Sequence, residues 1–197
     1  MKPIEKLIEA FKKFPSVGPK QAERFCMYIM RSDLSEIKFL IDAITDVKNT
    51  IKMCSKCNNY TDADLCEICG DENRDKSFLC VVETPFDIIA IEKTKIYNGF
   101  YFVLGAHIVP FSNNDLFFQR FEMLKNRLKN EAISELIIAL NTTTEGQATS
   151  LYLKNNLSSY VEKITRIAFG VPLGADIDYI DEYTLGWAIK GRSEMKD

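Results

Sequence analysis

The chain changes its hydrophobic period part-way along. Through its first fifty residues, apolar positions recur every three or four places. Ile4, Leu7, Ile8 and Phe11 stand at i, i+3, i+4 and i+7, one face of a helix over residues 3–13. Pro15 ends that pattern, Gly18 allows a tight turn, and Pro19 suits the first turn of a second helix at about 19–31. Ala22, Phe25, Cys26 and Ile29 share its apolar face, with Lys20, Arg24 and Arg31 on the other side. A third helix, roughly 33–52, carries the stripe Leu34, Ile37, Leu40, Ile41, Ile44, Val47 and Ile51, with Ser32 or Asp33 as its cap. Beyond the polar linker 71–76 the pattern becomes short apolar runs. Ser77–Glu83, Phe100–Gly105, Glu135–Asn141 and Val161–Phe169 read as strands, the first almost continuously apolar, as a strand buried on both faces requires. Helical pattern fills Pro85–Lys93, 116–130, 145–156 and 183–190, and Pro110 with Ser112–Asp115 marks a loop. The β-α-β-α-β-α-β order predicts a mostly parallel sheet with helices on both faces.

Composition adds little to this picture. The 197 residues are 46% apolar, ordinary for a globular chain, and contain no run long enough to span a membrane. Charge is informative only by its distribution. Residues 1–53 carry ten Lys/Arg and seven Asp/Glu, a net +3, against −3 for the whole chain. A mildly basic N-terminal third hints at nucleic acid. The single histidine, His107, excludes a two-histidine zinc protease helix and any multi-histidine metal site, and reads as a loop or strand-end residue.

The candidate chemistry begins with Cys54-Ser-Lys-Cys57 and Cys66-Glu-Ile-Cys69. Each Cys-x-x-Cys turn offers two thiolates, and a polar, turn-rich spacer folds one pair back on the other, as one structural Zn²⁺ per chain requires. Four cysteines leave no open position for a catalytic water. Two disulfides are the competing reading. The absence of a secretory signal argues against them and for a reducing, cytoplasmic setting.

Helix, tight turn, helix is also a device for holding phosphate. The turn and the second helix's N-terminus aim N–H groups at an anion, with Gly18, Lys20 and Arg24 beside it. Such contacts are sequence-independent and salt-sensitive. A plain helical hairpin with solvated charges is the alternative. In open α/β sheets, chemistry lies at the carboxyl ends of strands. There Glu83 and Glu145 offer two carboxylates, enough for a weak Mg²⁺ that keeps most of its waters. Asp176, Asp178, Asp181 and Glu182 form an acidic stretch suited to a metal, a basic partner or plain solvation.

Taken in order, these strings resemble the bacterial recombination-mediator family RecR over essentially the whole chain. They are Phe14–Lys20 with Arg24, the four cysteines, Cys80-Val-Val-Glu83, Tyr97-Asn-Gly99 with Val103-Leu-Gly105, Asn141–Gly146 with Ala148-Thr149, Thr165–Ala168, and Gly174–Leu185 ahead of Gly191-Arg192. The resemblance implies an α+β multi-part chain. Its parts are a helix-hairpin-helix DNA-binding domain (1–53), a four-cysteine zinc finger (54–76), an α/β Toprim domain with a mostly parallel sheet (77–170) and a C-terminal Walker-B-like segment (171–197). It implies a ring-shaped homotetramer that binds DNA and acts with RecO, and in many bacteria RecF, to load RecA onto strands coated by single-strand-binding protein. Lys20 and Arg24 then match DNA-contacting positions, and Glu83 and Glu145 match acidic positions tied to RecO. Two departures stand out: Ser16 replaces a usual glycine, and the loop 106–115 is short and carries His107.

Two other function classes compete. A Toprim nuclease, primase or topoisomerase needs an Asp-x-Asp where this chain has the neutral Asn141-Thr142-Thr143, so an enzyme is not expected. A zinc-dependent transcription regulator needs a base-reading recognition helix, and none is visible. Nor does a Walker A loop accompany the C-terminal segment.

Overall fold

The computed structural model describes residues 2–109 and 112–194; Pro110 and the end of the charged tail lie outside the described residues. The chain forms two units, Met1–Ile51 and Lys52–Asp197.

The first unit is helical. Helix α1 (Pro3–Phe11) packs on α2 (Pro19–Arg31), and α3 (Leu34–Thr50) follows. Phe11 meets Phe25 edge to face at 5.5 Å, while Ala22 and Cys26 are buried beneath. Prolines at the first helical positions of α1 and α2 cost no hydrogen bond there. Asp33 is the N-cap of α3, though its side chain accepts no capping hydrogen bond. The turn between α1 and α2 departs from expectation. Gly18 is extended (φ −80°, ψ 174°), whereas Ser16 takes the left-handed conformation at φ 62°. The residue standing in for glycine therefore bears the turn's strain. The stripe on α3 also differs: no residue of this helix is buried, and Leu34 and Phe39 are 84% and 76% exposed.

The second unit begins with a two-stranded antiparallel ribbon, β1 (Lys52–Met53) with β2 (Tyr60–Thr61), then a single helical turn α4 (Glu67–Gly70). There follow β3 (Asp75–Val82), α5 (Pro85–Glu92), β4 (Gly99–Val103), α6 (Asp115–Asn130), β5 (Glu135–Ala139), α7 (Thr144–Leu157) and β6 (Lys163–Arg166). A 3₁₀ turn (Ile177–Tyr179) and α8 (Glu182–Lys190) close it. The larger sheet is wholly parallel, in the order β4-β3-β5-β6.

Alternation along the strands divides the core. Leu79, Val81, Phe100, Phe102, Leu136 and Ile138 face one way and pack with Phe117, Phe121, Leu124 and Leu128 of α6 and Leu153 and Leu157 of α7. Cys80, Val82, Tyr101, Val103 and Ala139 face the other way, onto Ile88 of α5. Helices therefore cover both faces, which is why these strands read as unbroken apolar runs. Because the chain enters at β3, moves out to β4 and returns to β5, the direction of winding reverses between β3 and β5. That switch point opens a crevice at the carboxyl ends of the strands.

Candidate nucleic-acid interface and metal centre

Gly18 caps α2 without a side chain, so no hydroxyl or carboxylate shields the first N–H groups of that helix. A Cβ built on Gly18 meets nothing within 4 Å, and φ is ordinary there. Neither local packing nor backbone conformation demands glycine, which leaves open space over the helix start. Lys20 follows at the second helical position and Arg24 one turn on; both are exposed, and neither forms an ion pair among the described residues. An uncovered helix N-terminus flanked by two unspent cations is an arrangement that attracts phosphate.

The four knuckle cysteines are all buried, and their sulfurs lie within 4.8 Å of one another. Tetrahedral Zn–S bonds of about 2.3 Å place sulfurs about 3.8 Å apart, so the clustered set suits a zinc ion. All four are free thiols. Backbone N–H groups of Asn59 and Cys66 point at the sulfurs of Cys57 and Cys54, at 3.5 and 3.4 Å. These donors suit thiolates. Hydrogen bonds from Cys57 and Cys69 push the Cys66 thiol far down, while the bond between Cys57 and Cys66 pushes Cys57 up. A shared cation removes that conflict.

The knuckle is tied to the edge strand β4. The Val103 N–H donates to the Cys57 carbonyl at 2.8 Å, and the Asn58 amide returns a bond to the Val103 carbonyl at 3.1 Å. Asn58 holds the left-handed conformation and is buried. Arg127 of α6, also buried, donates to the Tyr101 carbonyl at 2.8 Å and to Glu131 at 3.1 Å. The four sulfurs form part of the same apolar cluster as α6 and α7. The metal knuckle is therefore built into the α/β core.

At the switch point, Glu83 follows β3 and is already engaged. His107 Nε2 donates to it at 2.8 Å and the Asn141 amide at 2.5 Å. Asn141, just past the end of β5, thus bridges the crevice to the carboxylate after β3. His107 Nδ1 is buried with no partner among the described residues. Glu145 lies exposed in the first turn of α7, whose cap is the Thr143 hydroxyl accepting from Gly146 N–H at 3.1 Å. Gly146 has a packing reason: an added Cβ would sit 2.0 Å from the Asn141 carbonyl oxygen. The C-terminal carboxylates do not converge. Asp181 caps α8 by accepting from Thr184 N–H at 2.9 Å, and the four cysteines are the one potential metal cluster of three or more ligands among the described residues.

The residues that sequence reasoning missed are those holding the frame. Arg74 grips Glu92 through both its terminal nitrogens, at 2.9 and 2.6 Å, and donates to the Gly99 carbonyl; the Tyr101 hydroxyl bonds Glu92 at 2.6 Å. Arg74 lay in a polar linker and Glu92 at a helix end, and no periodicity pairs residues eighteen apart.

Comparison with known families agrees with this geometry part by part. The RecR helix-hairpin-helix family matches residues 4–48, the RecR four-cysteine zinc finger domain 51–71, the Toprim domain 77–168 and the RecR C-terminal family 170–193. The chain is thus a Toprim-fold protein carrying a helical hairpin and a four-cysteine finger. It is 43% identical over 189 residues to the recombination protein RecR of Bifidobacterium adolescentis, covering 96% of this chain and 94% of that one. It is 42% identical over 194 residues to the recombination protein RecR of Endomicrobium trichonymphae, covering 98% of each. The chain belongs to the RecR family of recombination proteins.

Proposed function

We propose that this chain is a non-catalytic, DNA-binding recombination mediator that grips the phosphate backbone through Gly18, Lys20 and Arg24. The observation that carries the reading is the bare N-terminus of α2 with two exposed, unpaired cations in its first turns. In this reading it acts with RecO, and with RecF where that partner is present, to load RecA onto single strands coated by single-strand-binding protein. Glu83 and Glu145 serve partner contact. Against an enzyme stand the neutral Asn141-Thr142-Thr143 and the engagement of Glu83 by His107 and Asn141. Any Mg²⁺ at Glu83 and Glu145 is weak, since both carboxylates together supply little charge.

Cys54, Cys57, Cys66 and Cys69 hold one structural Zn²⁺, whose chemistry here is to fold the knuckle, not to activate water. In this reading the chain divides into 1–53, 54–76, 77–170 and 171–197, and the pairing of β1 with β2 runs across the first boundary. The open apolar stripe of α3 supports assembly with further copies, in keeping with a ring-shaped tetramer. No described helix is long and apolar enough to cross a membrane. Free cysteines fit a reducing, cytoplasmic setting.

The test is fluorescence anisotropy with labelled oligonucleotides of unrelated sequence. Equal affinities across sequences, weakened in a Lys20→Ala/Arg24→Ala variant whose circular dichroism is unchanged, support the reading. Strong preference for one sequence, or full affinity in the double variant, refutes it. Metal-dependent cleavage abolished in Glu83→Ala would make the chain an enzyme instead.

A further inference from the structure

A cavity of about 570 Å³ lies along the open edge strand β6, between β5, α7 and α8. Gln147, Ser150, Lys154, Thr165, Arg166 and Trp187 supply its polar and aromatic lining, which contains two cations and no carboxylate. Its size is that of a small-molecule site. Arg166 is the last residue of β6, at the carboxyl end of that edge strand. A smaller recess joins Arg166 to Asn141 and Thr142 after β5, so the site continues along that edge.

Arg166 is held by aromatic rings. Its guanidinium carbon lies 4.3 Å from the centre of the Phe169 ring and 4.7 Å from that of Trp187. Lys190 Nζ approaches the Trp187 ring at 5.0 Å. A stacked guanidinium keeps its in-plane N–H groups free, and stacking fixes a side chain that would otherwise lose rotamer entropy on binding. Arg166, Lys154 and Lys190 form no ion pair among the described residues. Both lining hydroxyls and the Gln147 amide are already engaged within the chain. Thr165 bonds Glu135, Ser150 the Gly146 carbonyl, and Gln147 the Thr142 carbonyl. Glu135, the carboxylate behind Thr165, is also paired with Lys163 at 3.1 Å.

We infer that this cavity binds a phosphate-bearing nucleotide group, with Arg166 as a bidentate clamp and Lys154 and Lys190 as supporting charges. The site lies wholly within the second unit and uses none of the hairpin residues. The phosphate belongs either to a free nucleotide or to a DNA backbone, and one experiment separates the two.

Trp187 is the chain's only tryptophan, so its fluorescence reports this site alone. The full-length, zinc-loaded protein is titrated at low salt with ATP, with the tetranucleotide dT4, and with a polyglutamate peptide as a phosphate-free polyanion. A saturable change with ATP identifies free nucleotide; a change with dT4 alone identifies DNA. Arg166→Gln should weaken the response at least tenfold and Lys154→Gln severalfold, while Lys20→Ala/Arg24→Ala leaves it intact. The inference is overturned by no response to either phosphate ligand, by undiminished affinity in Arg166→Gln, by an equal response to polyglutamate, or by loss of the response in the hairpin variant. If Arg166→Gln does not fold, Lys154→Gln and Lys190→Gln decide, and unchanged affinity in both overturns it.

Discussion

Replacing Ser16 with glycine should stabilise the N-terminal unit. Ser16 sits at φ 62°, exposed, and its side chain takes part in no hydrogen bond among the described residues. Holding an L-residue in that conformation costs about 1–2 kcal/mol. Glycine relieves the cost but widens the unfolded ensemble, a penalty of roughly 0.5–1 kcal/mol. The difference is a net gain of about 0.5–1 kcal/mol. For a unit of this size, that corresponds to about 5–9 °C in Tm. Thermal melts by circular dichroism give the shift, and hydrogen exchange in α1 and α2 assigns it to the right unit. Ser16→Ala retains the strain and should stay within about 0.5 kcal/mol of the parent. Ser16→Val, branched at Cβ, should destabilise further. A Ser16→Gly protein that melts lower than the parent, or a Ser16→Val protein that melts with it, would refute the argument.

Three other substitutions probe the second unit. Glu92→Gln should cost about 2 kcal/mol at neutral pH by weakening the grip of buried Arg74. The Arg74 hydrogen bond, helped by Tyr101, depresses the Glu92 pKa. Its contribution is therefore full above the ordinary glutamate range and lost as pH falls through the lowered folded value. Urea midpoints from pH 7 down to 3 should fall less steeply in Glu92→Gln than in the parent, and parallel curves would contradict this. Cys57→Ser should release zinc, measured with a colorimetric chelator, and unfold the knuckle; a well-folded, zinc-free variant would show that the sulfurs are not the frame. Gly146→Ala should cost about 1–3 kcal/mol, because the new methyl group meets the Asn141 carbonyl. An unchanged denaturation midpoint would mean that the start of α7 can move aside.

Much of the fold was legible because punctuation and period agree. Pro19, Pro85 and the apolar runs marked α2, α5 and β3 to within two residues of their observed limits. The Cys-x-x-Cys pairs announced their own geometry. Three kinds of feature were not legible. The strand order follows from which helix crosses which face, and local pattern is silent on that. Gly18 reads from residue type as the residue that allows the tight turn, yet it is extended, and Ser16, where the RecR resemblance expects glycine, carries the positive φ. Side-chain bonds such as Glu83 with His107, Arg74 with Glu92 and the Asn58 amide with the Val103 carbonyl join residues eighteen to forty-five positions apart. The α3 stripe shows the opposite failure. Its period correctly marks a helix, but period alone does not say what covers the apolar face, and the described residues of the first unit leave it open.

The central claim is that Lys20 and Arg24 hold phosphates, and the salt dependence of single-strand binding tests it most directly. Each phosphate contact contributes about 0.7 to the slope of log affinity against log salt on single strands. Losing both contacts in Lys20→Ala/Arg24→Ala should flatten that slope by at least about 1.4, with affinity lower at low salt. An unchanged slope and affinity, with the variant folded, would show that DNA is held elsewhere.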